Sequence, residues 1–447
     1  MGRFAAGDAN DATTAIAAAR HAFDHSDWAG QPRRRAGVLL AFAQGLEANK
    51  AELARRLTAE NGKLFSEAQH ELHAAISEAR YYAGLARNVF GRVSQVEPGV
   101  MALLAREPLG VAGIIVPWNA PVTLMVRSLA PALAAGCTAV VKAAPQTALV
   151  NAAVFETLSQ TLELPPGVVN MLCETGNEVA QTLVTSPDVD VISYTGSTRV
   201  GKQIMAGAAG TLKRLNLELG GSAPCLVFED ADLDRTVPAL ARAGTLMAGQ
   251  MCTAASRVLV QRSRLDEVQA RLKDALSELV VGPGDDPASQ MGPMIDLENR
   301  DRIARLVADT PDPVLLRGEP LDGPLACGAF IGPSLVAVED LDAPLVCEEV
   351  FGPVLTVCAF KDEAHAIALA NRTRYGLAAS VWTNDLGRGQ RVANRLQSGT
   401  VWINTHNRLM AEAETGGYRQ SGLGRLHGVE GLEAFLQTKH ISWDTAA

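Results

Sequence analysis

Cys252 and Glu218 are the two side chains whose types and settings could carry covalent chemistry. Cys252 lies in the segment 249–254 (GQMCTA), just past a predicted helix, where a turn can present a thiol to a cleft. Its reactivity would require a lowered pKa or an adjacent base. Glu218 ends a strand-like run and is followed by two glycines, which let the backbone turn sharply and leave room for a ligand. Glu218 is therefore a candidate base, although a free cysteine is more often a buried small hydrophobe and an acid at a strand end more often faces water.

Asn119 is a candidate hydrogen-bond donor to an oxyanion. It lies in 117–121 (PWNAP), directly after a strand-like run, so the two flanking prolines would hold its amide in place. The alternative is an ordinary turn asparagine, because asparagine and proline are both common in turns.

Three further features place polar groups where a ligand could bind. Lys142 ends the strand-like run 139–141. The segment 196–201 (GSTRVG) follows another strand and opens a helix, whose free N–H groups and dipole favour a phosphate, although it is not GxGxxG and its signal is weak. The segment 348–353 (EEVFGP) sets two acids beside an aromatic residue before a turn. The alternatives are a lysine that reaches solvent and a hinge loop.

Composition and charge exclude several classes of protein. The net charge of −9 would repel nucleic acid and anionic lipid, and no basic stripe offsets it. The most apolar window, 109–126, contains Pro117, Asn119 and Pro121, so it is predicted to be a strand, a loop and a helix and not a membrane span. The first ten residues lack the apolar stretch of a secretory signal, and seven cysteines without a CxxC pair indicate reduced thiols. We expect a cytoplasmic protein that binds neither nucleic acid nor membrane.

The histidines do not predict a metal site. His70 and His73 in 70–73 (HELH) are three residues apart, whereas zinc proteases place two histidines four apart on a helix. The remaining histidines do not cluster. We therefore predict that 70–73 is solvated surface and that no metal is bound.

The spacing of apolar residues predicts an α/β protein. Three- and four-residue spacing predicts helices at 12–23, 33–57 and 63–89. Short Val- and Ile-rich runs then alternate with helix-length segments, which is typical of a doubly wound parallel sheet that binds ligands at the carboxyl ends of its strands. The runs are 111–116, 139–142, 168–172 and 189–194. A second α/β region has strand patterns at 225–228, 257–260, 354–360, 378–382 and 401–404.

Two segments fit neither sheet. The segments 96–106 and 437–443 alternate in strand fashion. They could form an arm that pairs with another subunit.

Taken together, the motifs resemble those of the aldehyde dehydrogenase superfamily, in the family's order and over nearly the whole chain from about residue 12 to 443. They are 117–121 (PWNAP), 140–142 (VVK), 194–201 (YTGSTRVG), 218–221 (ELGG), 249–252 (GQMC), 348–353 (EEVFGP) and 417–422 (GYRQSG). The resemblance implies an α/β fold with a doubly wound, Rossmann-like cofactor domain, an α/β catalytic domain and a β oligomerisation arm. The expected domains are 1–95 and 108–219 for the dinucleotide, 220–419 for catalysis, 96–107 and 436–447 for the arm, and 420–435 returning to the cofactor domain.

The same resemblance implies a role for each candidate catalytic residue. Cys252 would attack the aldehyde carbon, and Asn119 with the backbone N–H of Cys252 would form the oxyanion hole. Hydride would then pass to the nicotinamide and leave a thioester. Glu218 would activate the water that hydrolyses it, and could also take the Cys252 proton earlier.

The implied cofactor is NAD or NADP. Lys142 would meet the adenosine ribose, Gly196 and Ser197 the pyrophosphate at the helix N-terminus, and Glu349 the nicotinamide ribose. The full expected set is Val116, Pro117, Trp118, Lys142, Ala144, Pro145, Gly196, Ser197, Val200, Leu219, Gly220, Glu349 and Phe351. Pro145 stands where many NAD-preferring relatives have a glutamate that grips the ribose hydroxyls, so the choice between NAD and NADP is open.

The substrate is expected to be a small-molecule aldehyde. The expected pocket is Ala120, Arg127, Met251, Thr253, Leu409 and Thr415. Ala120 and Thr415 stand where larger aromatic residues are frequent, which favours a roomy funnel and a bulky or aromatic aldehyde. Arg127 matches an arginine with which semialdehyde dehydrogenases hold a carboxylate, but Leu246 replaces their second arginine, and Arg127 could equally lie on a helix that faces a subunit interface.

Other functions are weighed against the leading one. A CoA-acylating enzyme of the same fold typically lacks the glutamate at position 218, and a non-catalytic relative would be expected to lose Cys252, Glu218 or Asn119. A generic Rossmann alcohol dehydrogenase would form no covalent intermediate. By family analogy the arm would make a homodimer or a homotetramer.

Overall fold

The computed structural model describes residues 2–444, which form three β-sheets and fourteen α-helices. The predicted end of the arm, 445–447, lies outside the described residues. The helices are α1 Ala9–His25, α2 Pro32–Asn61, α3 Phe65–Leu85, α4 Pro121–Ala135, α5 Ala148–Ser159, α6 Glu178–Thr185, α7 Thr198–Ala208, α8 Leu233–Thr245, α9 Leu265–Ser277, α10 Leu297–Ala308, α11 Pro344–Cys347, α12 Glu363–Ala370, α13 Leu386–Ala393 and α14 Gly428–Glu433.

The strands follow the same alternation along the chain. They are β1 Arg92–Glu97, β2 Val100–Pro108, β3 Val111–Ile115, β4 Thr138–Ala143, β5 Val169–Cys173, β6 Val191–Thr195, β7 Arg214–Glu218, β8 Ala223–Val227, β9 Ala255–Gln261, β10 Val314–Leu316, β11 Ser334–Ala337, β12 Val354–Phe360, β13 Ala378–Trp382, β14 Thr400–Ile403, β15 Gly422–Leu423 and β16 Leu436–Asp444.

The first sheet has the order β15-β7-β6-β3-β4-β5 and is parallel except for β15. Every residue of β3 is buried, as expected for a parallel strand covered by helices on both faces. The order along the sheet reverses between β3 and β6, so the loops that follow these two strands flank the crevice where such sheets bind ligands. The predicted doubly wound fold is confirmed.

The second sheet has the order β10-β11-β12-β9-β8-β13-β14 and is parallel except for β10. A short link, 219–222, carries the chain from the end of β7 in the first sheet to the start of β8 in the second. Because two glycines lie in this link, the backbone can pass closely between neighbouring segments.

The third sheet is antiparallel and has the order β1-β2-β16. The segment 96–106, predicted to belong to an arm, lies in a β-hairpin of β1 and β2 whose turn is Pro98-Gly99, with Gly99 at φ 84°. The predicted strand at 437–443 is present as β16, which pairs with β2 over its whole length. The arm therefore begins at Arg92, earlier than the sequence pattern indicated.

The largest hydrophobic core joins α2, α3 and α4 to one face of the first sheet. Leu39 and Phe42 of α2 and Leu72 and Ile76 of α3 are almost fully buried in it. Helix α4 begins with Pro121 at its first turn and is buried at nearly every position, which accounts for its apolar sequence. Within residues 2–444, no helix combines the length and apolar character needed to cross a membrane.

The prediction that 70–73 is solvated surface is only partly right. His70 and His73 are exposed, but Glu71 lies between them on the inner face of α3 and is buried. Among the described residues no group of three or more metal-ligating side chains could hold a metal ion.

Candidate active site

Cys252 is presented by an unusual turn after α8. Met247, Ala248 and Gly249 adopt left-handed backbone conformations, with φ of 52°, 54° and 69°. A side chain at Gly249 would overlap the backbone of Gly352, so only glycine fits there. The turn ends the helix abruptly and leaves Cys252 partly exposed on the wall of a cavity.

The Cys252 sulfur is a thiol, not a thiolate, in the free protein. Burial raises its pKa to about 12, and the nearby carboxylates of Glu349 and Glu218 add to this effect, whereas Arg127 opposes it. An uncharged thiol is a weak nucleophile, so the site must supply a group that accepts its proton.

Glu218, the base predicted from the sequence, is one of the carboxylates near Cys252. It is the last residue of β7 and is only 5% exposed, and its Oε1 atom is buried without a hydrogen-bond partner. Burial raises the pKa of Glu218 to about 7, although Arg127 and Arg425 act in the opposite direction. A carboxyl group that is poised between its two protonation states near neutral pH is suited to general base catalysis.

The link between the two sheets brings three segments together. The backbone N–H of Gly221 donates to Oε1 of Glu349 at 3.2 Å. A Cβ atom at Gly220 would overlap the Glu349 carboxylate, and one at Gly221 would press on the carbonyl oxygen of Cys252. The two glycines after Glu218 therefore allow this backbone, Glu349 and the Cys252 turn to approach one another.

Asn119 is held between a strand, a helix and the Cys252 turn. It lies between β3 and α4, and its Nδ2 atom donates to the carbonyl oxygen of Gln250 at 3.0 Å. An amide nitrogen carries two hydrogens, so a second one is available to a ligand. The side chain is 8% exposed and is thus a buried donor directed toward the Cys252 turn.

A buried ion pair supports the loop that carries Asn119. Lys63 is paired with Glu71, and both side chains are almost fully buried. Lys63 Nζ also donates to the carbonyl oxygen of Asn119 at 2.7 Å, and Glu71 Oε1 accepts from the N–H groups of Val122 and Thr123 at 2.8 and 3.3 Å. We call Lys63, Glu71 and these backbone partners the Lys63–Glu71 network.

A small cavity lies beside Cys252. Its lining includes Met251, Cys252, Glu349 and Phe351. Phe351 has a positive φ of 51°, and its ring meets that of Trp118 edge to face with centroids 5.7 Å apart. Burial raises the pKa of Glu349 to about 7, opposed by the Gly221 N–H and Arg302.

The other expected cofactor residues lie at the carboxyl edge of the first sheet. Val116 follows β3 and donates its N–H to the carbonyl oxygen of Lys142 at 3.0 Å. Ser197 caps α7, and its Oγ accepts from the N–H of Val200 at 3.4 Å. The remaining members follow β3, β4, β6 or β7, namely Pro117, Ala144, Pro145, Gly196, Leu219 and Gly220.

The expected substrate residues do not form one continuous wall. Met251 is partly exposed on the cavity beside Cys252, and Ala120 immediately precedes α4. Thr253 is buried and donates its hydroxyl to Asn407 Oδ1 at 2.7 Å. Leu409 is 40% exposed, whereas Thr415 is buried and pairs through its backbone with Leu426.

Arg127 lies in the interior and not at a surface. It is 6% exposed on α4, and its Nη2 donates to Thr195 Oγ1 at 3.1 Å. Thr195 is the register partner of Glu218 in the neighbouring strand. The Nε atom of Arg127 has no hydrogen-bond partner, and no carboxylate of residues 2–444 forms an ion pair with Arg127 within 4.0 Å. The alternative that it faces a subunit interface is not supported by this burial.

Sequence reasoning missed several residues around the site. Lys63 and Glu71 support Asn119, and His406 Nε2 donates to the carbonyl oxygen of Thr253 at 2.7 Å. Glu174 is buried beside Lys142. The only sequence signal for Glu71 was its position, because the helical periodicity of α3 places this acidic residue on the inner face of the helix.

Comparisons with known proteins agree on one group of relatives. The family model described as "Aldehyde dehydrogenase family" matches residues 1–441. The chain is 39% identical over 445 residues to betaine aldehyde dehydrogenase of Bacillus subtilis, covering 98% of this chain and 91% of that protein. It is 37% identical over 446 residues to the NADP/NAD-dependent aldehyde dehydrogenase PuuC of Escherichia coli, covering 99% and 89%. The crystal structure of betaine aldehyde dehydrogenase from Staphylococcus aureus in complex with NAD+ superposes with a TM-score of 0.97 at 37% identity, covering 99% and 89% of the two chains.

Proposed function

This chain belongs to the aldehyde dehydrogenase family and is an enzyme that oxidises an aldehyde, and we propose that it does so through a thioester on Cys252 that is hydrolysed by water activated by Glu218. One observation carries the assignment of the base: Glu218 is buried with an unpartnered Oε1 atom, and the pKa of its carboxyl is raised to about 7. A carboxyl group without a structural partner is free to exchange protons.

The residues act in a definite order. Glu218 accepts the proton of the Cys252 thiol, and the thiolate attacks the aldehyde carbon. The resulting oxyanion is stabilised by Asn119 Nδ2 and the Cys252 N–H, and such a donor contributes on the order of 3 kcal/mol to lowering the barrier. A bound nicotinamide supplies the hydride acceptor. Once Glu218 has released the first proton to solvent, it takes a proton from water as the water oxygen attacks the thioester carbon, and the Cys252 sulfur leaves as a thiolate as the carboxylic acid forms.

The cavity and sheet edge fit NAD or NADP. The first turn of α7, capped by Ser197, begins at this sheet edge, and the N–H groups of a helix N-terminus favour a phosphate. The residues that would hold the cofactor are those expected from the sequence: Lys142 at the adenosine ribose, Gly196 and Ser197 at the pyrophosphate, Glu349 at the nicotinamide ribose, and Trp118 and Phe351 beside the ring. The Staphylococcus aureus relative was crystallised in complex with NAD+, and the Escherichia coli relative PuuC is NADP/NAD-dependent.

We assign the domains from the sheets. Residues 2–91 and 109–219, with 420–435, would bind the dinucleotide, 220–419 would carry Cys252, and the β1-β2-β16 sheet, 92–108 with 436–444, would form the arm. The arm exposes Val93, Val96, Ile441 and Trp443, which are 62%, 66%, 43% and 41% exposed. Such an apolar strip supports assembly into a homodimer or a homotetramer.

The covalent step is tested by trapping the intermediate. Aldehyde and NAD(P)+ are mixed with enzyme, quenched in acid and measured by intact mass. We expect an acyl adduct in the unmodified protein and in Cys327→Ala, whose cysteine is exposed and far along the chain, and none in Cys252→Ala. An adduct that persists in Cys252→Ala would assign the nucleophile to another residue.

A second candidate concerns the substrate: an aldehyde that also carries a carboxylate. The buried Arg127, with an unpartnered Nε, is a cation without an ion-pair partner among the described residues, and a substrate carboxylate would balance it. The leading candidate, a bulky or aromatic aldehyde, is supported by the small side chains of Ala120 and Thr415. In a panel of neutral, aromatic and acidic aldehydes, Arg127→Gln should reduce kcat/KM selectively for acidic aldehydes if Arg127 binds them. A uniform reduction would favour the bulky neutral class.

A further inference from the structure

Lys142 and Glu174 form an ion pair at the carboxyl edge of the first sheet. Lys142 is the penultimate residue of β4, and Glu174 directly follows β5, the neighbouring parallel strand. Lys142 Nζ lies 3.8 Å from Glu174 Oε1. The side chain of Lys142 is 14% exposed and that of Glu174 is 2% exposed, so only the lysine is accessible from outside.

Glu174 is fixed by more than this lysine. Its Oε2 accepts the N–H of Val179 at 2.8 Å and its Oε1 accepts the N–H of Ala180 at 3.2 Å, both in the first turn of α6. The carboxylate is therefore anchored to a helix and cannot swing away when a ligand arrives. The two backbone hydrogen bonds therefore hold the carboxylate of Glu174 in place beside Lys142.

The charges around Lys142 do not favour the 2′-phosphate that distinguishes NADP from NAD. Position 145, three residues further along the chain, is a proline, and the half-buried Glu60 accepts the N–H groups of Leu149 and Val150 at 2.8 and 2.7 Å. The positive charge of Lys142 is thus matched by Glu174 before any ligand binds. A ribose hydroxyl can still accept a hydrogen bond from Lys142. A 2′-phosphate would instead meet a lysine whose positive charge is already balanced by Glu174, and it would be repelled by the Glu174 carboxylate.

We propose that Glu174 is a positioning residue that makes this chain select NAD+ over NADP+ by tethering and neutralising Lys142. The inference rests on the proposed function, which places the adenosine ribose at Lys142. It settles a question that Pro145 leaves open, because the acid that discriminates against the 2′-phosphate is supplied from the next strand and acts through the lysine.

The test measures equilibrium binding, so it does not depend on turnover. The dissociation constants of NAD+ and NADP+ are determined by calorimetry for the unmodified enzyme, Glu174→Gln and Glu60→Gln. We expect the unmodified enzyme to bind NAD+ more tightly, and the ratio of the two constants to fall on the order of tenfold in Glu174→Gln, as expected for removing one charge near a phosphate. Glu60→Gln also removes a carboxylate that caps a helix, but this one pairs with no lysine, so its ratio should stay unchanged.

Two results would overturn the inference alone: tighter binding of NADP+ by the unmodified enzyme, or an equal change of ratio in both variants. If Glu174→Gln is too unstable to measure, Lys142→Met tests the same pair, since it should weaken NAD+ binding without favouring NADP+. A gain of NADP+ affinity in Lys142→Met would contradict the proposal. Absence of binding of either dinucleotide would instead reject the proposed function together with this inference.

Discussion

Two buried glutamates on either side of Asn119 have opposite roles. Glu71 lies in the Lys63–Glu71 network, where an ammonium group and two backbone N–H groups satisfy its carboxylate. Glu218 is equally buried, yet its Oε1 has no partner, and burial raises its pKa to about 7. The same side chain is therefore hydrogen-bonded and ion-paired at position 71, whereas at position 218 it has the unpartnered oxygen and raised pKa expected of the proposed base.

The comparison predicts its largest effect in catalysis. Glu218→Gln keeps the shape of the side chain but cannot accept a proton, so we expect steady-state turnover to fall about 10²- to 10⁴-fold. Hydrolysis of the thioester should suffer more than its formation. A pre-steady-state burst of NAD(P)H followed by slow turnover would be the signature in stopped-flow absorbance.

Glu218→Asp provides the matched control, since it retains a carboxyl group and should recover part of the turnover. If the burst and the steady state were slowed equally in Glu218→Gln, the base in hydrolysis would have to be another group.

Glu71→Gln is expected to act on stability and not primarily on chemistry. It leaves the ammonium group of Lys63 buried without a counter-charge, and breaking a buried pair in this way costs about 3–5 kcal/mol of the free energy of unfolding. Urea unfolding followed by circular dichroism measures the loss. The control is Glu47→Gln, which removes an exposed acid 3.3 Å from Arg80 and should cost less than about 1 kcal/mol.

A small effect of Glu71→Gln, equal to that of Glu47→Gln, would show that the network does not hold the Asn119 loop through its charges. The two glutamates would then not differ in the way the structure indicates.

The two glutamates should also differ in the pH dependence of stability. The folded pKa of Glu218 is raised to about 7 from an ordinary value of 4.5, so the unfolded chain loses this proton first as the pH rises. Glu218 therefore lowers the free energy of unfolding progressively between these two values, on the order of 1–3 kcal/mol, and has no effect below the lower one. Glu218→Gln should be more stable than the unmodified protein at pH 8 and equal to it at pH 4, if both remain folded.

This prediction is checked by urea unfolding at several pH values. A Glu218→Gln variant that is less stable at pH 8 would mean that the carboxylate is compensated in the folded protein after all. Glu71→Gln should be destabilised at pH 8, which sets the two positions apart in sign.

Much of the fold and the principal site residues could be predicted from the sequence. Near-continuous Val and Ile runs such as 111–116 can be buried only between helices, and the strands of the first sheet follow from them. Cys252, Glu218 and Asn119 were marked by glycine- and proline-rich turns, which are local features. In the structure Asn119 is hydrogen-bonded to the Cys252 turn, and Glu218 lies near enough to Cys252 to raise the pKa of its thiol, which local sequence features could not show.

What could not be predicted depends on tertiary pairing. Glu71 was predicted to face solvent because His70 and His73 beside it are polar. Its partner is Lys63, which follows the end of α2, and this pairing is visible only in the structure. Glu174 gave no signal either, because its role follows from the register of β4 and β5. The hairpin of the arm was missed because alternation continues across Pro98 and Gly99.

The smallest predicted effect lies at the edge of the Lys63–Glu71 network. Thr123 Oγ1 donates to the carbonyl oxygen of Glu71 at 2.7 Å, at the first turn of α4. Thr123→Val removes this hydrogen bond but leaves the charges of Lys63 and Glu71 matched, so we expect a loss of about 1 kcal/mol in stability. Turnover should fall by less than about fivefold, because the carbonyl oxygen of Asn119 keeps its bond to Lys63.

Thr13→Val, which removes an exposed hydroxyl bonded to Ala9 at 2.8 Å, is the control and should change stability by less than about 0.5 kcal/mol. A hundredfold loss of turnover in Thr123→Val would show that the placement of Asn119 depends on this single hydroxyl. The Lys63–Glu71 network would then act on turnover through the backbone of α3 as well as through its charges.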